Sequence, residues 1–144
     1  MTVVQSCKFV MCMAAIFVLV CVPTQAQQTP DPHQVPVMDG EAGPCSISFT
    51  VTDAAGAPVY DARIKVHIAY GFAGVRRLDL EAATNVDGKT LIKGLPDKVK
   101  GKVLYFNATQ GKRKGAYTYN PATSCDSGKA TIVLTDSVTS SPTP

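Results

Sequence analysis

Between Cys45 and Thr135, apolar and polar residues alternate one by one in segment after segment. In "CSISFTVT", Ile47, Phe49 and Val51 fall on one side and Ser46, Ser48, Thr50 and Thr52 on the other. Side chains point to opposite faces at every step only in an extended strand. A period of two therefore predicts strands with one buried face. "ARIKVHIAY" sets Ile64, Val66, Ile68 and Tyr70 against Arg63, Lys65 and His67. "VRRLDLEAAT" sets Leu78, Leu80 and Ala82 against Arg77, Asp79 and Glu81. "KTLIKGLP", "KVLYFNA", "AYTYN" and "KATIVLT" bring the number of strands to seven. Turn chemistry separates them: Asp53 to Gly56, Asp87-Gly88 in "TNVDGKT", and "ATQGKRKG". Pro58 falls where no ladder N–H is needed. No window holds a 3.6-residue period. The expectation is all-β: a seven-stranded antiparallel β-sandwich, or a small barrel, with flexible N- and C-terminal tails.

The flanks read differently. Phe9 to Val22 is an uncharged, mostly apolar run preceded by one charge, Lys8, and followed by Pro23. That run is shorter than the roughly 20 residues of a membrane span. With Thr24-Gln25-Ala26 behind it, residues 1–26 read as a cleaved signal peptide and predict a secreted or periplasmic protein. Residues 27–44 read as a Pro-rich linker and 136–144 as a disordered tail, leaving 45–135 as the domain. Losing Lys8 lowers the net charge of +3 by one. That balance is too close to neutral to imply nucleic acid or a membrane surface. Cys7, Cys12 and Cys21 leave with the leader, so Cys45 and Cys125 remain. Two cysteines in an exported chain read as one disulfide. Closing so long a loop is worth roughly 4–5 kcal/mol as an upper figure, and places the first and last strands near one another.

Two motifs carry a family resemblance. "GAPVYDARIKV" supplies Gly56, Pro58, Val59, Asp61, Ala62 and Ile64; "ATNVDGKTLIKGLP" supplies Thr84, Asn85, Asp87, Gly88, Gly94, Leu95 and Pro96. In order and spacing they resemble the carboxypeptidase regulatory-like domain of the transthyretin-like, or prealbumin-like, sandwiches. After Pro96 the chain departs from that pattern. The matching residues are turn and core positions, so the resemblance implies an architecture and no chemistry.

Catalytic constellations are missing from the sequence. A zinc peptidase site needs His-x-x-Glu or His-Glu-x-x-His spacing, and neither His33 nor His67 begins one. His33 lies in the linker; His67 alternates with Arg63 and Lys65 and reads as a surface histidine. Hydroxyisourate hydrolases of the transthyretin-like group rely on several histidines and a C-terminal Tyr-Arg-Gly-Ser, which this chain lacks. Intradiol ring-cleaving dioxygenases, built on a related sandwich, bind iron through two tyrosines and two histidines. Tyr117 and Tyr119 with one domain histidine do not complete that set. No Gly-x-Ser-x-Gly elbow occurs. Asp79 and Glu81 share a strand face but read as a solvated edge beside Arg77. A Lys–Asn isopeptide between first and last strands lacks both partners.

Two surfaces remain as binding candidates. Lys93, Lys98, Lys100, Lys102, Lys112, Arg113 and Lys114 form a basic run broken only by Asp97. It suits anionic polysaccharide or lipid headgroups, or serves as a lysine-rich edge that discourages aggregation. Tyr60, Tyr70, Phe72, Tyr105, Tyr117 and Tyr119 are candidates for stacking on sugars, against core packing as the alternative. Tyr117, Tyr119, Lys112, Arg113 and Lys114 together make the candidate ligand surface. Asn107-Ala108-Thr109 is a glycosylation sequon in a eukaryotic host. The expectation is an exported, non-catalytic module without cofactor or metal, with a structural or protein-interaction role in the cell envelope or extracellular space. A carbohydrate-binding module of the same fold is the alternative. The expected partner is a protein or glycan, with no nucleic acid and no stable membrane span after signal cleavage.

Overall fold

A computed structural model describes residues 31–125 and 128–136. The expected signal peptide, the first residues of the linker and the tail beyond Asp136 lie outside these. The chain forms β1 (Val37–Asp39), β2 (Cys45–Asp53), β3 (Arg63–Tyr70), a 3₁₀ turn (Phe72–Gly74), β4 (Arg76–Ala83) and β5 (Lys89–Leu95). β6 (Leu104–Gln110), β7 (Arg113–Tyr119), a short helix α1 (Pro121–Ser124) and β8 (Gly128–Asp136) follow.

The strands make one sheet of eight in the order β1-β5-β2-β8-β7-β6-β3-β4. This corrects the expected count of seven. The extra strand, β1, comes from the segment read as linker. Three residues after Pro36 are too few to display a period, and β1 forms by pairing in parallel with Leu91–Lys93 of β5. The linker is also pinned to the turn before β5 and to β5 itself: Asn85 Nδ2 donates to the His33 carbonyl, 2.8 Å, and Leu91 N–H to the Pro36 carbonyl, 2.9 Å.

The expected all-antiparallel pairing is corrected too. β2 and β8 run parallel over Ile47–Asp53 against Gly128–Leu134. β8 meets β7 only at Arg113↔Asp136 and Lys114↔Thr135. The sheet bends there. Phe49 of β2 comes within 4.8 Å, centroid to centroid, of Phe106 of β6, although two strands separate them in the sheet order. At the other margin Gly40, just past β1, lies against Leu78 and Leu80 of β4. The sheet is thus curled into a nearly closed barrel.

The alternating apolar residues fill its interior: Ile47, Phe49 and Val51; Ile64, Val66 and Ile68; Ile92; Leu104 and Phe106; Ile132 and Leu134. Cys45 and Cys125 form the expected disulfide with Cα atoms 4.4 Å apart, tying the start of β2 to the segment before β8. The first turn also follows its sequence. Asp53 Oδ1 accepts from the N–H groups of Ala55 and Ala57, both at 2.9 Å, and Gly56 adopts φ 84°. Asn85 Oδ1 accepts from Asp87 N–H at 3.1 Å and Lys89 N–H at 2.8 Å.

Candidate functional site

β3 and β4 pair without interruption from Arg63↔Ala83 to Tyr70↔Arg76. Beyond Tyr70 the alternation ends in Gly71-Phe72-Ala73-Gly74-Val75. Gly71 (φ 76°) and Gly74 (φ 70°) occupy the left-handed region that glycine adopts without penalty, and Ala73 joins them at φ 55°. Gly74 N–H donates to the Gly71 carbonyl at 3.1 Å, and Val75 N–H to the Phe72 carbonyl at 3.2 Å. This tight turn leaves Phe72 92% and Val75 73% exposed. No other exposed large apolar residue among those described reaches either figure.

A second segment is held beside this tip. Tyr70 bridges Val99, and Lys100 N–H donates to the Ala69 carbonyl at 2.9 Å. Tyr70 thus stands between Arg76 of β4, followed by Arg77, and the Val99 segment, which carries Lys98, Lys100 and Lys102. Among the described residues none of these five forms an ion pair or a side-chain hydrogen bond. Asp97 is the acid within that loop. The stem of Lys100 lies over Gly74, where a Cβ would stand 2.7 Å from Lys100 Cδ. Gly71, Ala73, Gly74, Lys98, Val99 and Lys100 line a concavity of about 280 Å³ beneath the tip.

Arg63, Lys65 and His67 on the outer face of β3 have acidic partners. Arg63 reaches Asp61 at 3.2 Å and Glu81 at 3.4 Å, Lys65 reaches Glu81 at 3.1 Å, and His67 Nδ1 lies 2.5 Å from Asp79. The Lys65 hydrogen bond is the main cause holding the Glu81 carboxyl below its ordinary pKa. Asp39 is likewise lowered, first by the Glu41 N–H and then by Lys93. The acids of β4 therefore work as cross-strand partners, as cross-strand pairing favours.

The expected ligand surface is not assembled. Tyr119 is 2% exposed, and its hydroxyl donates to the Ser124 carbonyl at 2.8 Å. Tyr117 is half-buried with its ring edge-on to Phe49 at 6.0 Å. Both belong to the packed interior. Lys112, Arg113 and Lys114 stand at the β6–β7 turn; β6 antiparallel to β3 puts that turn at the end of the sheet away from Phe72. Arg113 donates to the Gln110 side chain. Lys93 pairs with Asp39 at 3.0 Å. The basic run thus divides into three groups, of which only Lys98, Lys100 and Lys102 join the tip. Sequence reasoning missed Val75, Arg76 and Arg77 as site residues and placed Phe72 only among the aromatics. The available signal was an apolar, non-alternating "GFAGV" followed at once by two arginines.

No family model and no curated protein sequence matches the chain. Among solved structures it resembles wild-type catechol 1,2-dioxygenase from Acinetobacter radioresistens, at 14% identity and a TM-score of 0.47, covering 77% of this chain and 61% of that one. It also resembles 3-chlorocatechol 1,2-dioxygenase from Rhodococcus opacus (12%, TM-score 0.47, 73% and 65% covered). A third is catechol 1,2-dioxygenase from Pseudomonas arvilla (12%, TM-score 0.45, 78% and 62% covered). The chain spans about three fifths of the first of these dioxygenases (61%). These neighbours are dioxygenases, so the comparisons lend no support to the expected non-catalytic structural or protein-interaction module or to its carbohydrate-binding alternative. The likeness itself brings no reaction to this chain. A tyrosine–histidine iron set does not fit either: Tyr119 is held in the interior and His67 stands on the outer face beside Asp79. Among the described residues no three His, Cys, Asp or Glu side chains are grouped to hold a metal.

Proposed function

We propose that this protein is a peripheral membrane-binding domain that docks on anionic bilayers through the β3–β4 tip. One observation carries the reading: Phe72 and Val75 stand out in water at the tip, with the stems of Arg76 and Lys100 beside its glycines and Lys98 lining the same concavity, and none of these three cations has an ion-pair partner among the described residues. Apolar anchors that reach the headgroup–acyl boundary and a basic flank that meets anionic lipids are the two terms of interfacial binding. Burying one such side chain is worth about 1.5–3 kcal/mol. Each Lys or Arg near an anionic leaflet adds about 1 kcal/mol. Together they offset the loss of rigid-body freedom. The small net charge does not oppose this, because several cations elsewhere, Arg63, Lys65 and Lys93 among them, are paired with acids, while those near the tip are not. No helix among the described residues is long and apolar enough to cross a membrane.

The leader expected at residues 1–26 would deliver the domain to a membrane surface outside the cytoplasm. The transthyretin-like sandwich and the carboxypeptidase regulatory-like relationship enter this proposal as its architectural part, supported by the turns at Asp53–Gly56 and Asn85–Gly88. Co-sedimentation with phosphatidylcholine vesicles, with and without phosphatidylserine, tests the function. Wild type is expected in the pellet only with the anionic lipid. Equal recovery in the supernatant with both vesicles refutes the reading.

A further inference from the structure

We infer that the protein forms a two-fold dimer in which β4 pairs antiparallel with β4 of a second copy, centred on Leu78. The inference stands apart from the membrane reading. The sheet ends on β4, whose eight residues pair only with β3. Among the described residues no backbone group of Arg76–Ala83 has a partner outside β3. A long strand edge of this kind is a template for another chain unless proline, lysine, a bulge or a covering element blunts it. β4 carries no proline and no lysine, and its register with β3 is unbroken. The other edge strand, β1, has three residues.

The charges of β4 select the partner and the register. Thr84 N–H donates to the Ala62 carbonyl at 3.1 Å, which continues the register of Arg63↔Ala83 by one step. Hydrogen-bonded and non-hydrogen-bonded pairs alternate along antiparallel strands. Leu78, Leu80 and Ala82 therefore bond to β3, and Arg77, Asp79 and Glu81 turn their N–H and C=O groups to the open edge. A two-fold contact must be self-complementary. Centring it on Asp79 sets that carboxylate against itself, and centring it on Leu80 sets Asp79 against Glu81 twice. Like charges directly opposite are destabilising. Centring it on Leu78 sets Arg77 opposite Asp79 in both directions, each pair exchanging both N–H···O bonds. Arg77 has no ion-pair partner among the described residues. Asp79 gives Oδ1 to His67, and its side chain is 77% exposed, which leaves Oδ2 for the second copy. Leu78, half-buried in one copy, meets Leu78 of the other at a non-hydrogen-bonded pair, where side chains approach most closely. Antiparallel pairing turns the two β3–β4 tips to opposite ends of the joined strands, so the contact leaves both uncovered.

Sedimentation equilibrium over a concentration series, without lipid, tests the dimer, with a thermal melt of each variant beside it. The wild type is expected to associate to a dimer and to dissociate on dilution. Arg77→Asp or Asp79→Arg alone sets like charges opposite one another twice and is expected to weaken association at least about tenfold. The two substitutions together restore opposite charges and are expected to restore association. Cross-linking checks the register. Leu78→Cys stands on the two-fold axis and is expected to oxidise to a covalent dimer. Asp79→Cys lies off the axis, beyond disulfide reach of its copy, and is expected to remain unlinked. A monomer at every concentration up to the solubility limit overturns the inference. So does a dimer that Arg77→Asp leaves unchanged, or a charge swap that stays as weak as the single variants. Readier cross-linking through Asp79→Cys than through Leu78→Cys overturns the register.

Discussion

Replacing Phe72 with Ser separates binding from folding more cleanly than any other change in the molecule. The side chain is 92% exposed and lies outside the packed core. Its loss in water is expected to alter stability by no more than about 0.5 kcal/mol, the usual range for surface substitutions. On a bilayer the same side chain leaves water. Forgoing that transfer is worth about 1.5–3 kcal/mol, or roughly 10- to 150-fold in affinity. The assay is titration of phosphatidylserine-containing vesicles by tryptophan-free methods such as co-sedimentation, since the chain holds no Trp. A thermal melt of the same preparations runs beside it. The expected pair of results is an unchanged melting temperature and an affinity lower by at least tenfold. Unaltered vesicle affinity in Phe72→Ser refutes the reasoning, because an anchor that never enters the membrane has no transfer energy to lose.

Other regions make separate predictions. Arg76→Gln with Arg77→Gln is expected to weaken vesicle binding and flatten its salt dependence, because exposed charges are screened within about 10 Å at 0.1 M salt and about 3 Å at 1 M; a salt slope equal to wild type would contradict it. Reducing Cys45–Cys125, which closes an 80-residue separation, is expected to lower the melting temperature in calorimetry, and an unchanged melt would show that the packed strands alone set stability. Gly88→Ala is expected to destabilise by more than about 1 kcal/mol in denaturant melts. Its φ is 70°, and a Cβ would stand 2.4 Å from the Val51 carbonyl oxygen. Lys65→Gln is expected to raise the Glu81 pKa toward its ordinary value in carboxyl NMR titrations. Because the folded pKa of Glu81 lies below its unfolded value, the pair's stabilisation is present at neutral pH and fades as acid titrates the carboxylate; no upward shift in the variant would assign the lowering elsewhere.

What could be read from the sequence was what is local. The period of two names Ile47, Phe49, Val51, Ile64, Val66 and Ile68 as interior, and each is buried. Asp53, Gly56, Asn85 and Gly88 carry their turn geometry in their own side chains or lack of one, so their turns were legible. Partner choice is not local. Nothing in "KATIVLT" states that it runs parallel to "CSISFTVT", and the three residues of β1 are too few to show a period before β5 pairs with them. The tip failed for the same reason. Phe72 and Arg77 are close in sequence, but Lys98 and Lys100 reach them only through the Tyr70–Val99 bridge, a contact across 29 positions. The basic run looked continuous in sequence because proximity along the chain hides the length of β6, which carries Lys102 and Lys112 to opposite ends of the sheet.

The central claim is that residues 71–76, with 98–102 beside them, are what touches the bilayer. Paramagnetic broadening of backbone amides by a spin label carried on the lipid chain measures that contact residue by residue. On phosphatidylserine-containing bicelles, the account predicts strongest broadening at Phe72, Ala73 and Val75, weaker effects at Lys98–Lys102, and none at the opposite turn around Lys112. Broadening centred on Lys112–Lys114, or spread evenly over the sheet, would contradict it.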